Sequence, residues 1–286
     1  MTWEIIQFKK KIIISTIIIA ILLFLYLQNN MITTTNITVQ YSNLPKTFNG
    51  YKIVHLSDLH NKTFGKGQKN LIRKIKKTKP DLIVFTGDLI DSRRYNEEPS
   101  IKLMKEITKI APVYYVPGNH EGRSGKFNEL EKGLLESGVN VLRNTNKIIK
   151  KGEESIYIIG IDDPVLHHFD SYRDETLNNI IEVATDNIPN KDGFKILLSH
   201  RPEAFSLYSR YGMDLVFSGH AHGGQIRLPF IGALIAPHQG LFPKYTSGKY
   251  TQGSSAMIVS GGLGNSLFPQ RLFNRPEIIL VELTIN

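Results

Sequence analysis

The chain has 286 residues, 41% of them hydrophobic and 21% charged, a composition that supports a sizeable core and excludes a disordered polymer. Lys+Arg 35 against Asp+Glu 26 leaves a formal charge of +9, which favours anionic surroundings such as phosphate, acidic lipid, wall polymer or nucleic acid. With no cysteine, disulfides and thiolate metal sites are excluded, so any metal must be held by His, carboxylate or Asn.

The first element is an apolar run at residues 12–27, IIISTIIIAILLFLYL, sixteen residues without a charge. A bilayer span usually takes ~17–25 residues, and Gln28 to Ile32 lengthen the run enough to cross. Lys9, Lys10 and Lys11 precede it, whereas residues 28–45 carry no charge. The positive-inside rule therefore keeps the basic residues 1–11 cytoplasmic and translocates the remainder. A cleaved signal peptide is the competing reading, but Gln28-Asn29-Asn30-Met31-Ile32 offers no small-x-small site. The expectation is an uncleaved anchor at 12–30 in a single-pass protein of the cell membrane, with an extracytoplasmic catalytic domain. Residues 31–49 read as a linker and an edge strand, because TTTNITVQYS alternates and is rich in β-branched residues.

From Tyr51 onward, strand-like runs alternate with helical periodicity. The predicted strands are 51–56, 81–86, 112–116, 155–161, 194–199, 214–218, 256–260 and 277–283, and the helices 66–78, 97–110, 125–138, 172–184 and 202–210. This order predicts an α/β domain over 50–286 with a mixed sheet or two packed sheets. The lysine-rich stretch 62–79 reads first as a solvated helix face, and nothing points to specific nucleic-acid recognition. Residues 223–253, rich in Gly and Pro, read as long loops.

Each polar block follows an apolar, β-branched run: Asp58-Leu59-His60, Gly87-Asp88, Gly118-Asn119-His120-Glu121, Ser199-His200 and Gly219-His220-Ala221-His222. These five blocks lie at the carboxyl ends of strands, where open α/β sheets place their sites. Asp, Asn and His without Cys suit Mn, Fe, Zn or Co better than Ca or a structural Zn. The seven candidate ligands Asp58, His60, Asp88, Asn119, His200, His220 and His222 are too many for one tetrahedral ion but suit two ions sharing a carboxylate. Two metals ~3.5–4 Å apart clamp a phosphoryl group and acidify a water until hydroxide attacks in line. A non-ligating His then protonates the leaving oxygen, and His120, one residue past Asn119, fits that role.

The ordered blocks D-x-H, G-D-x-x-D, G-N-H-E, a lone His and G-H-x-H resemble the signature of calcineurin-like metallophosphoesterases over about residues 50–284. GHAHGGQIRLP and the closing GLGNSLFPQRLFNRPEIILVEL look most like the membrane-associated bacterial branch that includes the YkuE and YaeI types. The resemblance implies a four-layer αββα sandwich with two mixed sheets and two divalent or mixed-valence metals, Mn, Zn or Fe. It implies one metal at Asp58, His60, Asp88 and His222, and a second at Asp88, Asn119, His200 and His220, bridged by Asp88. His120 matches the family's proton donor, and Asp91 the carboxylate that orients it in some branches, although Ser92-Arg93 replaces the Arg-Gly of the protein phosphatases.

The function expected is hydrolysis of phosphomonoesters or phosphodiesters, with a lipid- or wall-linked substrate suggested by the anchor. The alternative is a pyrophosphatase of a lipid-linked nucleotide sugar, of the UDP-2,3-diacylglucosamine hydrolase type. A non-catalytic module would normally have lost ligands, and every one is present here. Glu121 reads as a structural cap, His55 as a packed core residue, and His167 and His168 as surface residues of a loop. Arg201, Arg227, Arg271 and His238 are the further substrate-contact candidates, with a surface salt bridge as the rival reading for the arginines.

Overall fold

A computed structural model describes residues 2–169, 174–224, 226–228, 230–236, 239–265 and 268–286. The first sheet holds β1 (Thr33–Gln40), β2 (Tyr51–Leu56), β3 (Leu82–Thr86), β4 (Val113–Val116) and β5 (Asn140–Val141). The second holds β6 (Thr145–Lys151), β7 (Glu154–Gly160), β8 (Lys195–Leu198) and β9 (Leu215–Ser218). Two small hairpins follow, β10 (Arg227–Leu228) with β11 (Gly232–Ala233), and β12 (Ile235–Ala236) with β13 (Gly240–Leu241). Then β14 (Gly248–Gln252) and β15 (Ser255–Val259) join the second sheet, and β16 (Glu277–Thr284) returns to the first.

The orders are β1-β16-β2-β3-β4-β5 and β14-β15-β9-β8-β7-β6. In the first sheet β2, β3 and β4 run parallel while β16 opposes β2. In the second, β7, β8, β9 and β15 are parallel, and the edges β6 and β14 are antiparallel to their neighbours. Both sheets are therefore mixed. The inner strands are unbroken apolar runs because both of their faces are covered.

Helices cover the outer faces. Leu71 and Ile75 of α2 (Lys69–Thr78), Leu103 and Met104 of α3 (Glu98–Ile107) and Leu130 and Leu134 of α5 (Phe127–Glu136) share one core with Val54, Ile83 and Phe85. A second core lies between the sheets, with Ile53, Val84 and Val116 on one side and Ile158, Ile196, Leu198 and Phe217 on the other. A third joins Ile159, Leu197 and Val216 to α6 (Asp174–Thr185) and α7 (Phe205–Arg210). The layers are α, β, β, α. A single turn-and-a-half helix, α4 (Asn119–Ser124), sits at the end of β4.

Helix α1 (Thr2–Asn30) is long and apolar enough to cross a membrane, and its side chains are almost all exposed. Its carboxyl end is fastened to the domain. Asn29 Oδ1 accepts from Arg271 N at 2.9 Å, Asn29 Nδ2 donates to Pro269 O at 3.0 Å, and Lys62 Nζ donates to Asn29 O. Gln270 Nε2 reaches Leu25 O at 3.0 Å, and Phe273 packs on Phe24 with centroids 5.6 Å apart. Only Met31 and Ile32 separate α1 from β1, and Ile32 is buried in the first core, so the stretch expected as a linker begins as ordered structure.

Candidate metal centre

Asp58 follows β2, Asp88 follows β3 and Asn119 follows β4, all in the first sheet; His200 follows β8 and His220 follows β9, in the second. The centre thus straddles the carboxyl edges of both sheets. The turns that deliver the ligands are tight. Asp58, His60, Asp88, His220 and His222 all have positive φ, between 48° and 67°. Left-handed backbone at a non-glycine residue costs on the order of 1–3 kcal/mol and persists where the surroundings over-determine it. Gly87, at φ 83°, precedes Asp88, and a Cβ there would collide with the Gly118 backbone and the His200 ring. A Cβ at Gly219 would strike Ser57 Oγ and Asp58.

The seven expected ligands come together in two groups that share Asp88. In the first, His60 Nε2 and His222 Nε2 lie 3.1 Å apart, with Asp88 Oδ2 3.6 Å from His60 and Asp58 Oδ1 3.5 Å from His222. In the second, His200 Nε2 lies 3.1 Å from His220 Nδ1, 3.2 Å from Asn119 Oδ1 and 3.4 Å from Asp88 Oδ2. One oxygen, Asp88 Oδ2, therefore faces both groups. The donor atoms of each His/Asp set lie within 4.8 Å of one another.

All seven side chains are buried. Crowding carboxylates and imidazoles out of water is costly unless a cation repays it, and this donor set suits borderline divalent ions. The residues present therefore fit a dinuclear metal site. Backbone contacts fix the donors. His200 Nδ1–H donates to Thr86 O at 2.7 Å, which leaves the Nε2 lone pair facing the group. Asp58 accepts the His220 N–H at 3.2 Å, and Asn274 Nδ2 donates to His222 O at 2.6 Å.

The fields are strong. Burial opposes ionisation of Asp88, yet the imidazoles of His200, His120 and His60 hold its carboxyl well below the usual range. His200 is lowered by burial but raised more by Asp88, reaching about 10. Burial lifts Asp58 to about 7 against the pull of His200, and lowers His222 to about 3 with Arg271 adding to it.

Glu121 holds the loop that carries Asp88. Its carboxylate accepts from Asp88 N and Leu89 N at 2.8 Å each, Ile90 N at 3.1 Å and Gly118 N at 2.6 Å. It is the structural cap expected, although it reaches a loop about 30 residues upstream as well as its own helix.

His120 lies beside His60, ring centroids 4.5 Å apart. Ser92 hydrogen-bonds the ring: its N–H donates to His120 Nδ1 at 3.0 Å, with Ser92 Oγ at 3.2 Å. Asp91 Oδ1 stays 3.9 Å from that nitrogen because its carboxylate is turned to Arg93 N and Arg94 Nη2, at 2.9 and 2.8 Å. An accepting Nδ1 puts the neutral ring's proton on Nε2.

Two of the three candidate arginines, Arg201 and Arg271, are fully buried and so are not surface salt bridges. Arg201 is fully buried and forks onto Asp163, Nε to Oδ2 2.7 Å and Nη2 to Oδ1 3.1 Å. Arg271, equally buried, donates to the carbonyls of Gly261, Gly264 and Asn274, bracing the loop under Asp58. Arg227, half-buried, turns Nη1 to Gly223 O, Thr246 Oγ1 and Ser247 Oγ. His55 is a buried core residue bonded to Thr86 Oγ1 at 2.8 Å, His167 contacts Asp162 at 3.5 Å, and His168 is exposed. His238 lies outside the described residues. Thr86, Ser92 and Asn274 are the contributors the motifs did not mark.

Comparison with known proteins agrees with this geometry. The family model for calcineurin-like phosphoesterases matches residues 51–224. The chain is 36% identical over 264 residues to the metallophosphoesterase YkuE of Bacillus subtilis (strain 168), covering 90% of this chain and 87% of that one. It is 26% identical to phosphodiesterase YaeI of Escherichia coli (strain K12), covering 82% of each. It is 29% identical to a transmembrane protein with metallophosphoesterase domain from Bos taurus, covering 85% of this chain and 55% of the other. Among solved structures, TT1561 of Thermus thermophilus superposes with a TM-score of 0.50 at 15% identity, over 74% of this chain and 89% of that one. The chain belongs to the calcineurin-like phosphoesterases and is a metal-dependent phosphoric ester hydrolase.

Proposed function

We propose that this chain is a membrane-anchored phosphoesterase that hydrolyses phosphomonoesters or phosphodiesters on the outer face of the cell membrane. One metal would be held by Asp58, His60, Asp88 and His222, and the other by Asp88, Asn119, His200 and His220. The observation that carries the reading is Asp88 Oδ2, placed 3.6 Å from His60 and 3.4 Å from His200 between two donor groups. When bound, two divalent ions there would polarise the phosphoryl oxygens and acidify a water. The chain supplies the rest. The Thr86 carbonyl keeps His200 in one tautomer, Asp58 holds the His220 turn, and Glu121 keeps Asp88 aimed inward. His120, its Nδ1 accepting from Ser92 N–H, presents its Nε2 proton to the leaving oxygen and takes up in exchange the proton that the attacking water loses. Asp91 contributes charge beside His120 and restrains Arg94. Lys9, Lys10 and Lys11 ahead of the apolar run support the outward topology.

The test is metal content and activity of the full chain in detergent, with Mn or Zn, on aryl monoesters and diesters. The expected result is about two ions per chain, about one or fewer in Asp88→Asn, and at least a roughly hundredfold loss of hydrolysis in that variant. Full metal content and activity in Asp88→Asn would overturn the site. Protection of the domain from protease added to intact cells would overturn the topology.

A further inference from the structure

The family reading does not use an exposed apolar surface that lies outside α1. Phe230 and Ile231 at the tip of the β10–β11 hairpin are 109% and 60% exposed. Ile235, Leu241 and Phe242 on the second hairpin are 56%, 73% and 70% exposed, and Phe273 is 53% exposed. Soluble proteins rarely leave such side chains clustered in water, so the surface has a partner.

Its position identifies that partner. Phe273 packs on Phe24, and Gln270 bonds Leu25 O, six and five residues before the end of α1. At 1.5 Å per residue, the 268–273 loop runs down the helix by about 8–9 Å. The segment that carries the span therefore shares a level with Phe273. The first hairpin is continuous with this loop: Ile226 bridges Leu272, and Arg227 N donates to Leu272 O at 3.0 Å. Phe242 N in turn donates to Leu234 O at 2.9 Å, tying the second hairpin on.

The same surface adjoins the metal centre. His222 lies in the short 3-10 turn that precedes β10. A cavity of about 520 Å³ joins Asn29 and Asn30, at the end of α1, to His60, with Lys62 and Arg94 in its wall. Two cations beside a metal-ligand histidine, at the foot of a membrane helix, suit a phosphate whose remainder stays in the bilayer.

We propose that the two hairpins and Phe273 enter the lipid interface beside α1, so that the metal centre opens onto the bilayer and takes a phosphate ester carried by a membrane lipid. The lipid substrate rests on the phosphoesterase reading; the docking surface does not. The reaction is hydrolysis. The bond from phosphorus to the lipid oxygen breaks and the hydroxide part of a water bonds to phosphorus, while His120 passes its Nε2 proton to the released lipid oxygen and takes up the proton that the water loses.

The cysteine-free chain allows a direct test. Full-length Phe230→Cys, Phe242→Cys and, as the distant control on β6, Lys150→Cys are labelled with NBD and reconstituted in phosphatidylcholine/phosphatidylglycerol vesicles. Bromination of the acyl chains is expected to quench positions 230 and 242 several-fold more than 150. Equal quenching at all three positions overturns the docking surface, and blue-shifted but unquenched labels would mean a protein partner and overturn it too. Unlabelled protein is then assayed on dioleoyl phosphatidic acid and phosphatidylglycerol in vesicles, the monoester and diester arms, against bis-nitrophenyl phosphate in solution. Cleavage of either lipid is the expected result. Cleavage of the soluble ester alone overturns the lipid substrate, whereas no hydrolysis of any ester overturns the phosphoesterase reading itself.

Discussion

Replacing Glu121 tests whether its backbone contacts or its charge holds the site together. Its buried carboxylate accepts four backbone N–H groups, from Asp88, Leu89, Ile90 and Gly118. In Glu121→Ala those donors lose their partner inside the protein, at about 1–3 kcal/mol each before relaxation and water entry. The contributions are not additive, and relief of a buried charge offsets part, so the net expectation is about 3–5 kcal/mol. At ~2–4 °C per kcal/mol for a domain of this size, Tm falls by roughly 6–20 °C. Glu121→Gln separates the causes. Burial, followed by repulsion from Asp88, pushes the Glu121 carboxyl up to about 7, so charge alone predicts that the neutral amide stabilises. Hydrogen bonding predicts the opposite, because an NH2 facing Asp88 N and Gly118 N sets donor against donor. Differential scanning calorimetry of the full chain in detergent, with bound metal measured alongside, decides it. A Tm unchanged or raised in Glu121→Gln would refute the hydrogen-bond account.

His120→Asn should lower kcat by about 10²–10⁴ on alkyl esters and far less on nitrophenyl esters, since a good leaving group needs no proton; a loss independent of leaving-group pKa would remove His120 as the donor. Ser92→Ala should cost less than about tenfold, because the backbone N–H that donates to His120 remains. Asp163→Ala removes the forked partner of the buried Arg201 guanidinium, leaving Glu203 at 3.6 Å, and should destabilise by about 3–5 kcal/mol, read by thermal melting. His55 is lowered to about 3 by burial, against an ordinary value of 6.5. Its folded form binds fewer protons than the unfolded chain, so its contribution is complete above pH ~6.5 and is lost as pH falls toward ~3. A stability–pH curve should show up to about 4–5 kcal/mol of this loss, missing in His55→Gln.

The inner strands were legible because burial on both faces leaves unbroken apolar runs: YKIVHL is β2 without adjustment. Of the edge strands, β1 was legible and β6 was not. β6 reads TNKIIKK, and lysine on an edge guards against stray pairing while erasing the hydrophobic signal. The hairpins within 226–241 are two-residue pairings held by turns, with no periodicity to detect. Helix α4 hides inside the Gly118-Asn119-His120-Glu121 block, whose composition reads as a turn. In the site, the ligand types were visible in short blocks after strands, since backbone turns and ligands are adjacent in sequence. Ser92 and Asn274 were invisible because their contributions cross the fold, Asn274 reaching His222 from 52 residues away. The two buried arginines, Arg201 and Arg271, were illegible for one cause. A guanidinium looks the same in sequence whether it faces solvent or is enclosed by Asp163 or by loop carbonyls.

The two-residue passage from α1 to β1 sets how far this protein can act. With Ile32 packed in the core and Asn29 clasped by Lys62 and Arg271, the domain stands on a short rigid stalk, not at the end of a leash. With α1 anchored as proposed, its catalytic reach above the lipid would be its own thickness, and its search would be two-dimensional, set by lateral diffusion of the helix. In that arrangement, polymers farther out in an envelope would be beyond its grasp unless they bend back to the surface.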